Sequence, residues 1–305
     1  MSSVQLSHQP GDDAIPRLQS SPGLNRRKSL ERAMVVLFIS ATLSGVLVLA
    51  VLLATVFYQG FGSLSWEFLT SPPSSLSAEG AGIYPAIIGS LWLISLTAVM
   101  SFVVGVGAAI YLEEYAPRTW YTGILQTNIS NLAGVPSVVY GLLGLGVFVG
   151  ILGFGRSVLS GALTLTLLVL PVIIIASQEA LRAVPSSLRQ AALALGATKW
   201  QMVRDHVLPA AMPGILTGTI LALSRAIGET APVVVAGAAS FLLFAPDSIQ
   251  DRYIPLPVLI YSWTSDARVE FRDLASAAIL VLLGLLLLMN AVAIFFRQRF
   301  DRSRW

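Results

Sequence analysis

Five stretches of this chain, residues 33–58, 84–112, 121–150, 158–178 and 274–296, each run for more than twenty residues without a charged side chain. A sixth, residues 215–240, is equally apolar but holds Arg225 and Glu229. A helix rises about 1.5 Å per residue and a bilayer core is about 30 Å thick, so each run is long enough to cross. Inside hydrocarbon every peptide group must be paired within the protein, which leaves only helices and closed barrels. The short alternating segments of a barrel are absent. The pattern predicts an all-α integral membrane protein with six transmembrane helices. Composition agrees: 55% of the residues are hydrophobic and 11% are charged, against about 25% charged in soluble domains. A soluble enzyme and a disulfide-stapled secreted domain are excluded. With two histidines and no cysteine, no metal site and no cofactor are expected. A net charge of +3 is too small to argue for nucleic acid.

Basic residues set the orientation. With the N-terminus inside, fourteen Lys and Arg fall in cytoplasmic segments and four in external ones. Both termini are therefore expected in the cytoplasm. Residues 1–29, rich in Ser, Pro and Gln, read as a disordered cytoplasmic tail, and residues 30–305 as one six-helix domain. The first span is too long for the apolar core of a signal peptide and reads as an uncleaved anchor. The external segment 241–273 carries charges of both signs and three prolines. It reads either as a docking surface for an external protein or as a packed cap on the bundle. Glu113 and Glu114, beside Arg118, read as a solvated cytoplasmic turn.

On the cytoplasmic side, residues 179–213 form the longest polar connection. Pro185 with Ser186 or Ser187 starts a short helix, and Gly196 suits the turn that ends it. Thr198 caps a second helix, expected to stop before Pro209. Such a knob is either an interfacial element or a contact for a cytoplasmic partner. Gln190-Ala191-Ala192, Gly196 and Leu208-Pro209 resemble the EAA loop of ABC importer permeases, with Gln190 in place of the usual Glu and His206 in place of an Ile. In that family the loop seats in a cleft of the ATPase subunit. The chain has no phosphate-binding G-x-x-x-x-G-K-[ST] loop of its own, so this resemblance implies a separate ATPase.

Arg225 is the eleventh residue of the fifth span, which predicts a position near mid-membrane, with Glu229 one turn later on the same face. An Arg there costs roughly 2.5–3.5 kcal/mol on insertion scales, so it is kept for pairing, for water or for a ligand. Pro232 cannot donate to the carbonyl of Gly228, which loosens the helix beside both charges. The Arg fork suits an oxyanion, and Glu229 suits a protonated one or orients the Arg. In the third span Asn128, Asn131, Ser137, Gly134, Gly141 and Gly144 read as close helix packing, or as a pathway lining opposite Arg225.

The run Arg225-Ala226-Ile227-Gly228-Glu229-Thr230-Ala231-Pro232 resembles the signature of the A-type permease subunits of phosphate-specific (Pst) ABC importers. Tyr111-Leu112-Glu113-Glu114-Tyr115-Ala116 and Gly134-Val135-Pro136-Ser137 support it. The resemblance implies a type I importer fold in a bacterial inner membrane, with no catalysis on this chain. It implies a homologous C-type permease, two cytoplasmic ATPase subunits, an external phosphate-binding protein and inorganic phosphate as partners. Arg225, Glu229 and Thr230 would line the substrate path, and Gly228 and Pro232 would interrupt the helix. A permease for sulfate or molybdate, or an ATP-independent transporter or channel, are the alternatives.

Overall fold

The computed structural model describes residues 22–74, 77–239 and 241–302. Those residues are helical or irregular, with no strand among them, and the chain divides into two units, Met1–Ala54 and Thr55–Trp305.

The described part of the first unit is one helix. α1 (Pro22–Gly60) starts before the unit's apolar stretch and continues past Ala54. Proline suits a first turn because an N–H there would have no intrahelical acceptor. The helix thus takes in Arg27 and Lys28, which the sequence reading assigns to a disordered tail; residues 1–21 of that tail lie outside the described residues. The side chains of residues 27–54 are exposed, as an apolar rod meant for lipid or for another helix requires.

The second unit is built on α6 (Val158–Arg182), whose apolar window is two-thirds buried. Against it lie α3 (Tyr84–Ile110) and a helix that runs unbroken from Lys199 to Ile227. The latter comprises α8 (Lys199–Met202), a wider π turn over Val203–Val207, and α9 (Leu208–Ile227). Close approach depends on small residues. A Cβ on Gly214 would lie 2.7 Å from the Cβ of Ala180, and one on Gly218 would clash with Ala176. Two small residues four apart on α9 therefore face two on α6, a spacing that lets helix backbones touch in lipid. Buried hydroxyls bond within their own helices, as Thr97 to Leu93, Thr166 to Ala162 and Thr219 to Ile215. α12 (Val269–Arg302) packs on α9, and Ser224 bonds Asn290 across that seam at 2.7 Å.

The third span is two helices, not one. α4 (Trp120–Ala133) and α5 (Ser137–Gly144), the latter extended by a π turn over Leu145–Ile151, meet at a bend of 103°. Pro136 supplies no N–H, and Gly134 ends the first half. The Tyr140 hydroxyl donates back across the break to the carbonyl of Leu132 at 2.7 Å, which also accepts from the amide of Val135 at 3.1 Å.

The segment over residues 241–273 caps the bundle. The first amides of α6, at Val158 and Leu159, donate to the carbonyls of Asp251 and Ile249, and Leu256 N–H donates to Ser90. α11 (Leu256–Thr264) buries Leu256, Val258, Leu259 and Trp263 against α12 and the short α2 (Trp66–Thr70). Leu243, Phe244 and Tyr261 remain exposed. Tyr253 is fully buried, and desolvation pushes its phenol well above the usual range. Between α11 and α12, hydrogen bonds from Arg268 hold the Asp266 carboxyl down to about 2. That contact is complete above about pH 4 and is lost as the pH falls toward the folded value.

Gly218→Val is expected to separate α9 from α6. A purified variant should lose about 1–3 kcal/mol of stability, the usual result of overpacking a tight contact, read as a lowered Tm. Gly107→Val, at a position with open space around it, should change Tm far less.

Candidate functional site

Arg225 sits in the last turn of α9, two residues before that helix stops at Ile227. The helix that carries it differs in its bounds from the span expected over residues 215–240. The helix begins earlier, at Lys199, and ends earlier. Gly228 is its C-cap, and α10 (Ala231–Val235) opens a new short helix with Pro232 in its first turn. Pro232 offers no donor to close the turn across the gap, so the break falls beside the charges.

The Arg225 side chain is 61% exposed and that of Glu229 is 19% exposed, with Nε donating to Oε1 at 3.1 Å. The guanidinium shares an open face with Leu221, one turn earlier, and with Gly228. Glu229 is turned inward, beside a cavity of about 20 Å³ that Ser90, Leu165 and Pro255 also line. A space of that size holds about one water. Thr230, between the two helices, is half-buried. The pair is thus not sealed: its cation is open and its anion is recessed.

The two helix breaks lie close together. A Cβ on Gly141 of α5 would sit 2.8 Å from both the Cα and the carbonyl oxygen of Pro232. Gly144 admits Thr164 of α6 in the same way. Gly141 and Gly144 of the third span therefore serve packing. Asn128 and Asn131 stay exposed on α4, and Asn128 donates to the carbonyl of Ile124.

The expected knob over residues 179–213 forms around α7 (Ser186–Ala194). Its first helical residue is Ser186, with Pro185 as N-cap and no side-chain cap. Gly196 takes φ +85°, a left-handed turn that L side chains adopt at a cost. Thr198 and Gln201 then form a reciprocal capping box that opens α8. This second helix does not stop before Pro209. Pro209 follows directly on the π turn at Val203–Val207, whose wider register accommodates a residue with no N–H to donate. Ala192 packs inward, while Gln190, Ala191, Leu193 and Gly196 are exposed and Leu195 is 90% exposed. Leu208 is half-buried, and Pro209 is exposed on the same helix.

Glu113 and Glu114 are not a solvated turn. They lie on a π turn, Tyr111–Tyr115, that prolongs α3, and both are paired. Arg182 reaches Glu113 at 3.0 Å and Glu179 at 2.9 Å. Arg189 of α7 reaches Glu114 at 2.8 Å. Lys199 stands 5.0 Å from the centre of the Tyr115 ring. Deeper along the bundle, Gln126 of α4 and Gln178 of α6 exchange two amide hydrogen bonds at 2.7 and 3.1 Å. Sequence reasoning passes over these contacts because all but Arg182–Glu179 join residues far apart in the chain. The signal available was scarcity: few charges exist here, so those beside a span end invite a search for partners. Among the described residues no cluster of His, Asp and Glu suits a metal ion.

Residues 101–305 match the family described as the inner membrane component of binding-protein-dependent transport systems. The chain belongs to that family. It is 32% identical over 267 residues to the phosphate transport system permease protein PstA of Yersinia pestis, a match covering 88% of this chain and 90% of that one. It is 36% identical over 187 residues to the probable ABC transporter permease protein YqgI of Bacillus subtilis, covering 61% of this chain. The match spans 63% of the Bacillus protein, less than two thirds of its length. Among solved structures, a bacterial alginate ABC transporter chain superposes with a TM-score of 0.62 at 17% identity, over 92% of this chain and 98% of that one. The fold is that of an ABC importer permease, and the chain is a multi-pass membrane protein.

Gly196→Val is expected to strain the knob by about 1–2 kcal/mol, the cost of a left-handed conformation for a side chain with a Cβ. Limited proteolysis of the purified protein should then cut faster between residues 194 and 199 than in the unmodified chain.

Proposed function

We propose that the chain is a permease subunit of an ATP-driven importer of inorganic phosphate, forming half of the translocation path. The observation that carries this reading is the open guanidinium of Arg225 at a broken helix end, with a recessed carboxylate one turn away. Irregular backbone at membrane depth is tolerated where it lines a cavity or is buried in protein. A charge kept there marks a pathway more often than a structural need. Self-pairing alone is a weak reason to keep it, since Arg-before-Glu pairs at this spacing contribute only about 0.2–0.5 kcal/mol.

In this reading Arg225 meets the anion with its planar fork, and Thr230 adds a hydroxyl. Glu229 repels a fully deprotonated oxyanion but accepts a hydrogen bond from a protonated one. Phosphate near neutral pH carries a proton and sulfate does not, so the carboxylate favours phosphate. The relatives named as phosphate transport permeases support the same substrate. The exposed ridge of Gln190, Ala191, Leu193 and Leu195 would seat in an ATPase subunit, with Gly196 setting its angle and Leu208-Pro209 carrying its motion into α9. A second, homologous permease would face Arg225, two ATPase subunits would sit on the cytoplasmic side with both termini, and an external phosphate-binding protein would dock over α11. No bond of the substrate is made or broken on this chain.

Uptake into proteoliposomes holding the complete transporter tests this. Arg225→Ala is expected to abolish ATP-driven phosphate uptake while assembly is unchanged. Glu229→Gln is expected to lower the preference for phosphate over sulfate. Near-normal uptake by the first variant would reduce Arg225 to a structural ion-pair partner, and an unmodified complex that prefers sulfate or molybdate would replace the substrate.

A further inference from the structure

We infer that Arg189 and Glu114 are positioning residues that bolt the coupling knob to the membrane helices, so that displacement of α7 is delivered to α3 and α6 as one body. This rests on the reading of residues 179–213 as the ATPase contact. The geometry carries it. Arg189 gives Nε and Nη2 to Glu114 Oε1 at 3.1 and 2.8 Å, Nη1 to the carbonyl of Val184 at 2.7 Å and Nη2 to that of Leu181 at 2.8 Å. Leu181 lies in the last turn of α6 and Val184 two residues past its end, where the helix dipole favours a cation. One guanidinium therefore joins three elements: α7, the end of α6 and the turn that prolongs α3.

Burial separates this pair from its neighbours. The Glu114 side chain is 7% exposed and Arg189 21%, whereas Arg204 and Asp205 are 65% and 46% exposed. An exposed pair exchanges its partners for water at little cost, but a buried one left unpartnered is strongly disfavoured. Arg189 also lies immediately before the outward Gln190-Ala191 ridge, and points the opposite way. Beyond the Gly196 turn, Lys199 over Tyr115 fixes the second arm of the knob to the same π turn. With both arms held, the short connections at residues 183–185 and 195–198 have little freedom to absorb a push.

The test is the number of anions imported per ATP hydrolysed, measured on the complete transporter in proteoliposomes. Glu114→Gln keeps the shape and removes the charge; Arg189→Lys keeps the charge and removes the fork. Both are expected to hydrolyse ATP in assembled complexes while the ratio falls about five- to tenfold. Glu114→Asp, which withdraws the charge by one methylene, should give an intermediate ratio. An unchanged ratio in Glu114→Gln and Arg189→Lys overturns the inference. Parallel loss of uptake and hydrolysis, or failure of all three variants to assemble, also overturns it, because the pair would then hold the fold and not the coupling. No ATP-driven anion uptake by the unmodified complex would instead refute the transport reading itself.

Discussion

A helix that crosses hydrocarbon must pair its own peptide groups, and this chain breaks that order twice inside its apolar runs. Both breaks are supported by neighbours. At residues 134–136 the Tyr140 hydroxyl takes up the carbonyl of Leu132. At residues 228–230 the following helix leans on α5, where Gly141 leaves room for the backbone of Pro232. The surrounding α3, α6 and α9 are locked by small residues at contact distance, so the breaks are held by a rigid frame. The frame sets Arg225 at a helix end, and the chemistry proposed for it depends on that placement.

The charges follow the same economy. Along the membrane-spanning helices, two side chains of opposite sign sit one turn apart at a break, one open and one recessed. At the end of α3, Glu113 and Glu114 take Arg182 and Arg189, and Tyr115 takes Lys199. Three consecutive residues of α3's extension thus hold the end of α6 and both arms of the knob.

Most of the architecture was legible because it follows from solvent. Five runs free of charge and a sixth carrying two charges do not depend on tertiary detail. What was not legible were events that hydropathy ignores. Residues 121–150 are apolar on both sides of Pro136, so one straight span and two bent halves read alike. Pro209 looks like a stop, but it follows the π turn at Val203–Val207 in a helix that continues to Ile227. Arg225 was found as a charge in an apolar run, but the helix that carries it was expected to begin near Ile215 and begins at Lys199. The Arg189–Glu114 pair joins residues 75 apart, and no local spacing announces it.

The central claim is that the Arg225 side chain faces a water-filled route used by a passing anion. The chain has no cysteine of its own, so Arg225→Cys in the complete transporter gives a single reporter in this subunit. A membrane-impermeant charged thiol reagent should modify it, at a rate that changes when ATP is bound and falls when phosphate is present. No modification from either side of the membrane, with or without nucleotide, would contradict the account.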